Sequence, residues 1–163
     1  MSDIIETILS RRSIRKFVKK DVADGDILNI LKAAMSAPSA GNEQPWHFIV
    51  IRDRKIMDRI PSVHPYAQAL KTAPVAILVC GDLELESFKG FWVQDCSAAT
   101  QNLLLAAHAG GLGAVWLGLY PIEERVSGMR KIMGMPDHII PLALIPIGYP
   151  DEHKGPVDRF NAS

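Results

Sequence analysis

Two stretches decide the fold of this 163-residue chain: RRSIRKF at residues 11–17 and APSAGNEQPW at residues 37–46. The first concentrates four cationic side chains and a hydroxyl, groups that bind a phosphate and the electron-rich edge of a ring. The second holds small residues between two prolines, so its restricted backbone can approach a flat ring closely. Taken singly, the first stretch could be a solvated basic turn and the second an ordinary helix-to-strand connection.

Length and composition limit the class of protein. With 163 residues, 48% of them hydrophobic, the chain has the size of one domain spanning residues 1–163. Eighteen basic residues balance eighteen acidic ones, which argues against nucleic-acid or membrane partners and leaves the cationic cluster for a small anion. The start of the chain carries acids where a secretory signal carries cations, so we expect a cytoplasmic location. Cys80 and Cys96 have neither disulfide-framework nor zinc-site spacing and are expected to be buried thiols.

Apolar spacing and turn residues divide the chain into helices and strands. Helices are predicted before Arg11, after a cap at Asp24, over 53–60, 66–72 and 88–109, and from Pro121 to Met133. Strands are predicted over 46–51, 74–80, 112–120 and 139–148. The almost wholly apolar stretch 74–80 should be central in its sheet. Two prolines within 139–148 should prevent continuous pairing along both edges of that strand.

The two motifs closely resemble those of the nitroreductase family of FMN-dependent oxidoreductases. Helices that outnumber and flank the strands without strict alternation already favour an α+β sandwich. The resemblance spans essentially the whole chain and implies a central mixed sheet flanked by helices, within an intertwined homodimer. Its long interface helix would be 88–109. The short connection after Cys80 leaves no room for the helical insertion that covers the cofactor in larger family members.

The resemblance also implies which residues bind FMN. Phosphate and ribityl contacts are implied for Arg11, Arg12 and Ser13, with a further phosphate contact from Arg159. Arg15 would approach the pyrimidine edge of the flavin, and Lys154 is a weaker phosphate match. The second motif would contact the flavin held by the partner subunit through Pro38, Ser39, Ala40, Asn42 and Gln44.

A glycine-rich stretch at 110–118 completes the implied site. It lacks the Gly-x-Gly-x-x-Gly spacing and precedes a strand, which excludes a dinucleotide fingerprint. In the family, the matching segment runs beneath the flavin and directs a backbone N–H at the reactive ring nitrogen. The resemblance places Trp116, Leu117 and Gly118 there. Many family members carry Glu-Gly where this chain has Gly118 and Leu119.

The sequence therefore predicts an FMN-dependent enzyme that uses NADH or NADPH to reduce a nitroaromatic, a quinone or a related small molecule. The cofactor carries this chemistry, so no catalytic side chain and no metal are predicted. An FMN-binding carrier or sensor without physiological turnover is the alternative. A nucleic-acid-binding role for residues 11–20 is disfavoured by the neutral charge and the lack of interleaved aromatic residues.

Overall fold

The computed structural model describes residues 3–161, with only the backbone described at residue 3. Its helices are α1 (Asp3–Ser10), α2 (Asp24–Met35), α3 (Arg54–Arg59), α4 (Trp92–Ala109) and α5 (Glu123–Met133). Its strands are β1 (Trp46–Ile51), β2 (Val75–Asp82), β3 (Gly113–Ala114), β4 (Leu117–Gly118) and β5 (Ile139–Gly148). Short 3₁₀ turns cover Ala40–Asn42, Ile60–Ser62 and Ala67–Lys71.

One sheet in the order β1-β2-β5-β3, with β4 also on β5, forms the centre of the molecule. All of these strand pairs are antiparallel. The sheet therefore differs from the expected mixed sheet, because the parallel pairing found in the described part of the chain is a single bridge between Ser13 and Ala114.

Proline splits the strand predicted over 112–120. Ala114 pairs with Ile147 and Leu117 pairs with Leu144, so β3 and β4 follow one register along β5. Pro146 lies between these pairs and has no N–H to donate, which interrupts the ladder. The opposite edge of β5 pairs with β2 along its length, with one register shift. The prediction that 139–148 would not pair continuously on both edges is confirmed.

Strand β2 places a core on each face of the sheet. All eight of its residues are buried. Val75, Ile77 and Val79 face the core formed with α2 and α4, whereas Ala76 and Leu78 face the core formed with α3 and α5. Because side chains alternate along a strand, one apolar run supplies both cores. The predicted α+β sandwich is confirmed.

Helix α4 begins later than predicted, at Trp92 instead of residue 88. The preceding turn is closed by Glu86, whose carboxylate accepts the backbone N–H groups of Gly90 and Trp92. Helix α2 begins at Asp24, but Ala23 is its cap and no side chain caps it. Both cysteines are buried free thiols, and burial raises the pKa of Cys96 to about 12. Within residues 3–161, no helix has the length and apolarity needed to cross a membrane.

Candidate cofactor site

The first motif is anchored to the sheet through its apolar side chains. Ile14 is buried and donates its N–H to the carbonyl of Ala114 at 3.0 Å. A side chain at Gly113 would lie 2.7 Å from Ile14, so close approach requires glycine at that position. Phe17 is buried and bridges to Pro150. These two anchors hold the backbone between them, so the cationic side chains of the motif lie toward the surface.

Three arginines converge between the end of α1 and the C-terminal tail. Arg11, Arg12 and Arg159 line a cavity of about 260 Å³, together with Asp158. Burial lowers the pKa of Arg11, and the nearby charges of Arg159 and Arg12 lower it further. Mutual repulsion among cations in a partly buried cleft is relieved by a bound anion. The cleft therefore suits a phosphate, and it brings together three residues predicted from the sequence.

The tail is tied to the first motif by hydrogen bonds. Lys154 donates to the Ser13 carbonyl at 2.8 Å and to Glu152 at 3.0 Å. The Glu152 carboxylate also accepts the Arg15 N–H at 2.6 Å. The Arg15 N–H and then Lys154 lower the pKa of Glu152 against the opposing effect of burial. Lys154 thus helps to fix the backbone of the first motif, a structural role that its weak match to the family pattern did not indicate. No sequence pattern identified Glu152.

The second motif forms a strained loop. Gly41, Asn42 and Gln44 have positive φ angles of 53°, 57° and 48°. Such angles are uncommon for residues other than glycine, and clusters of them occur at ligand-binding segments. Gln44 stabilises the loop by donating its N–H to the Ser39 hydroxyl and its side-chain amide to Asn42, both at 3.0 Å.

Two acidic residues fasten this loop to α4 and to the turn before it. Asp95 accepts the Ala40 N–H at 3.1 Å. Glu43 accepts the N–H groups of Ser87 and Phe88 at 2.6 and 3.0 Å. The sequence did not predict these partners, because they are backbone groups distant along the chain.

The two motifs lie at opposite ends of α4 within one protomer. The loop contacts Asp95 in the first turns of the helix, whereas Ser10, beside Arg11, is hydrogen-bonded to His108 at 2.8 Å near the helix end. Thirteen residues separate Asp95 from His108, or roughly 20 Å at the helical rise per residue. One protomer therefore does not bring the two motifs together.

The segment 116–118 runs from the first motif toward the start of α4. Ala114, which bridges to Ser13, lies two residues before the segment, and Tyr120, whose ring contacts that of Trp92, lies two residues after it. Leu117 is buried, whereas a side chain added at Gly118 would meet no atom within 4 Å, so the strand is open there.

Two side chains that sequence reasoning missed hold the Gly118 carbonyl. It accepts hydrogen bonds from His64 Nε2 at 3.1 Å and from Arg125 at 3.0 Å. Burial and then the charge of Arg125 lower the pKa of His64, which keeps its ring neutral. The neutral ring therefore carries its proton on Nε2, the atom that donates to Gly118.

Comparison with known proteins identifies the family. The Nitroreductase family matches residues 8–63 and 61–149. A "Putative NADH dehydrogenase/NAD(P)H nitroreductase" of Methanothermobacter thermautotrophicus is 55% identical over 159 residues, which are 98% of this chain and 83% of that protein. The "FMN reductase (NADPH)" of Bacillus subtilis is 27% identical, over 98% of this chain and 71% of that protein.

Solved structures share the fold over nearly the whole chain. An FMN-dependent nitroreductase of Clostridium difficile has a TM-score of 0.87 at 30% identity, over 95% of this chain and 92% of that one. A structure in complex with FMN from Desulfovibrio desulfuricans has a TM-score of 0.88 at 34% identity, over 99% and 94%. With the family match covering most of the sequence and a relative sharing more than half of its residues, the chain belongs to the nitroreductase family.

Proposed function

We propose that the protein is an FMN-dependent oxidoreductase that transfers reducing equivalents from NADH or NADPH to nitroaromatic, quinone or related acceptors. The observation that carries this proposal is the cleft of Arg11, Arg12 and Arg159, which is joined through the Ser13–Ala114 bridge to the open strand at Gly118. A phosphate site beside an exposed strand suits a mononucleotide. Relatives named as an FMN reductase and a structure in complex with FMN support the same cofactor.

Each part of the site has a separate task in this proposal. The three arginines bind the phosphate, and Ser13 adds a hydroxyl toward the ribityl chain. Arg15 places an exposed cation at the pyrimidine edge, where it stabilises the negative charge of the reduced ring. Trp116, Leu117 and Gly118 support the ring from below. The chemistry that bound FMN supplies is hydride transfer, and the protein orients the reactants.

We further propose a homodimer, because one protomer leaves both the site and an apolar surface incomplete. Ile4 and Ile8 of α1 are 65% and 46% exposed. With Leu105 and Ala109 of α4 they line an open apolar cavity of about 460 Å³. A second copy that packs on this surface would cover it and bring its own residues 38–44 to the flavin. The partner's loop is needed because the two motifs of one protomer lie far apart along α4. We propose a cytoplasmic location, in keeping with the two free thiols.

Two measurements test the proposal. The protein should purify yellow, with an absorbance spectrum that identifies FMN after release and one FMN per chain. It should then oxidise NADH or NADPH in steady state when a quinone or nitroaromatic is added. Stoichiometric FAD, or no flavin affinity after reconstitution, would contradict it. Flavin that is reduced once without turnover would indicate the carrier or sensor instead.

A further inference from the structure

Asp95 and Glu43 each leave one buried carboxylate oxygen without a hydrogen-bond partner in the part of the chain that the structure describes. The partnerless atoms are Asp95 Oδ2 and Glu43 Oε1. The other oxygen of each acid accepts backbone N–H groups: Ala40 donates to Asp95 Oδ1, and Ser87 and Phe88 donate to Glu43 Oε2. Asp95 is only 5% exposed.

The two carboxyls are close enough to hydrogen-bond to each other. If both were ionised, two like charges would face each other and two buried oxygens would have no donor, which is unfavourable on both counts. A single proton between them removes both penalties, because the protonated acid donates to the carboxylate. This chemistry is the same as in other carboxyl pairs that share a proton.

The surroundings favour the protonated pair. Burial raises the pKa of Asp95, the Ala40 N–H opposes this rise, and the charges of Glu43 and Glu86 add to it. The first turns of α4 add the other titratable neighbour, the Cys96 thiol, whose own pKa is raised and which therefore stays neutral. The charges that act on the pKa of Asp95, those of Glu43 and Glu86, are both negative and favour the protonated acid.

We propose that Asp95 and Glu43 form a carboxyl pair that shares one proton in mild acid and positions the loop 38–44 for cofactor binding. Asp95 is then a positioning residue that acts through the Ala40 N–H. The pair links three elements: the loop, helix α4 and the turn at Ser87 and Phe88. Its effect on the cofactor rests on the proposed function, because contact between this loop and FMN is part of that proposal.

The sign of the pH dependence follows from the raised pKa. A group whose pKa is higher in the folded protein stabilises it fully below the unfolded pKa, which for Asp is about 3.9. That stabilisation is lost as pH rises through the folded pKa. The free energy of unfolding of the wild type should therefore fall, relative to that of Asp95→Asn, as pH rises from about 4 through the raised folded pKa of Asp95.

Three variants test the pair. Asp95→Asn keeps an oxygen for Ala40 and supplies an N–H₂ donor for Glu43, so its FMN dissociation constant should stay within about threefold of the wild type. Asp95→Ala removes both contacts and should raise that constant about tenfold. Asp26→Asn, at an exposed position of α2, removes the same charge elsewhere and is the matched control. Urea denaturation of FMN-free protein across pH supplies the stability readout.

A spectroscopic measurement reports on the proton directly. In mild acid, the wild type should show an infrared C=O stretch of a protonated carboxylic acid that Asp95→Asn lacks and Asp26→Asn keeps. One outcome would overturn the shared proton and leave the proposed function intact. In it, the wild type binds FMN but lacks this band, and its stability difference from Asp95→Asn does not change with pH. Equal FMN affinity in wild type and Asp95→Ala would overturn the positioning role. Wild type that binds no FMN would contradict the proposed function, while the band and the pH profile would still decide the pair.

Discussion

The ammonium group of Lys154 donates a hydrogen bond of 2.8 Å to the backbone carbonyl of Ser13, which lies 141 residues earlier in the chain. Lys154 also contacts Glu152, whose carboxylate accepts the Arg15 N–H. These bonds join the tail to the backbone of the first motif, and the Arg12 side chain adds a further bond by donating to the Gly155 carbonyl of the tail. Lys154 therefore helps to hold the backbone of the segment that carries Arg11 and Arg12, the residues proposed to bind the phosphate.

We expect Lys154→Ala to raise the FMN dissociation constant by about three- to tenfold, because the loss of one charge-assisted hydrogen bond loosens the backbone at Ser13. The flavin midpoint potential should not change. Fluorescence titration of the apoprotein with FMN measures the affinity. Lys131→Ala, an exposed lysine in the last turn of α5, is the control and should bind FMN as the wild type does.

Arg11→Ala and Arg15→Ala should have separable effects, since the two cations are assigned to opposite ends of the cofactor. Arg11→Ala should cost about 1.5–3 kcal/mol of binding free energy, or roughly a tenfold to hundredfold rise in the dissociation constant, with little change in potential.

Arg15→Ala should instead lower the midpoint potential by about 30 mV or more, equal to roughly 1.4 kcal/mol for a two-electron couple. Affinity and potential are to be measured for both variants in one buffer. A potential that shifts with Arg11 and not with Arg15 would reverse the two assignments.

Ile8→Glu should convert the proposed dimer into monomers and abolish FMN retention, because it places a charge on the apolar surface between α1 and α4. Sedimentation velocity gives the oligomeric state, and absorbance gives the bound flavin. Val50→Glu places the same charge on the exposed face of edge strand β1 and should remain dimeric and yellow. A monomeric Ile8→Glu protein with full FMN occupancy would refute the two-subunit site.

Gly41→Ala should destabilise the loop by about 1–2 kcal/mol, because Gly41 has a positive φ and an added Cβ would lie 2.4 Å from the Phe88 ring. We expect lower FMN affinity and a lower Tm. Gly25→Ala in α2 is the matched control, since a Cβ there meets no atom within 4 Å and alanine favours the helix. Its Tm should be unchanged or slightly higher.

His64 should make the protein less stable in mild acid. Its pKa is lowered in the fold, so the unfolded chain binds a proton first as pH falls below about 6.5. Stability is then lost between that value and the lower folded pKa, with a slope of at most about 1.4 kcal/mol per pH unit.

His64→Gln, which keeps a donor for the Gly118 carbonyl, should lose less stability over the same range. Urea denaturation between pH 7.5 and pH 5 makes the comparison. Parallel curves for the two proteins would show that His64 is not responsible.

Local patterns determined most of the elements and the chemistry of the first motif. The predicted strands 46–51 and 139–148 match the structure, and a helix follows residue 23 as predicted, because these patterns are properties of neighbouring residues. The cation cluster was visible for the same reason. Burial of both cysteines was predicted because their spacing fits neither a disulfide framework nor a zinc site, and the structure confirms it.

Contacts between distant residues were decided only by the tertiary structure. The split of 112–120 depends on Pro146 of the neighbouring strand, and the antiparallel sheet depends on how the connections cross the molecule. Two further contacts join residues that no periodic spacing relates: Lys154 bonds to Ser13, and Asp95 pairs with Glu43. Periodicity reports which face of an element is buried, whereas the fold alone sets which polar group lies opposite another.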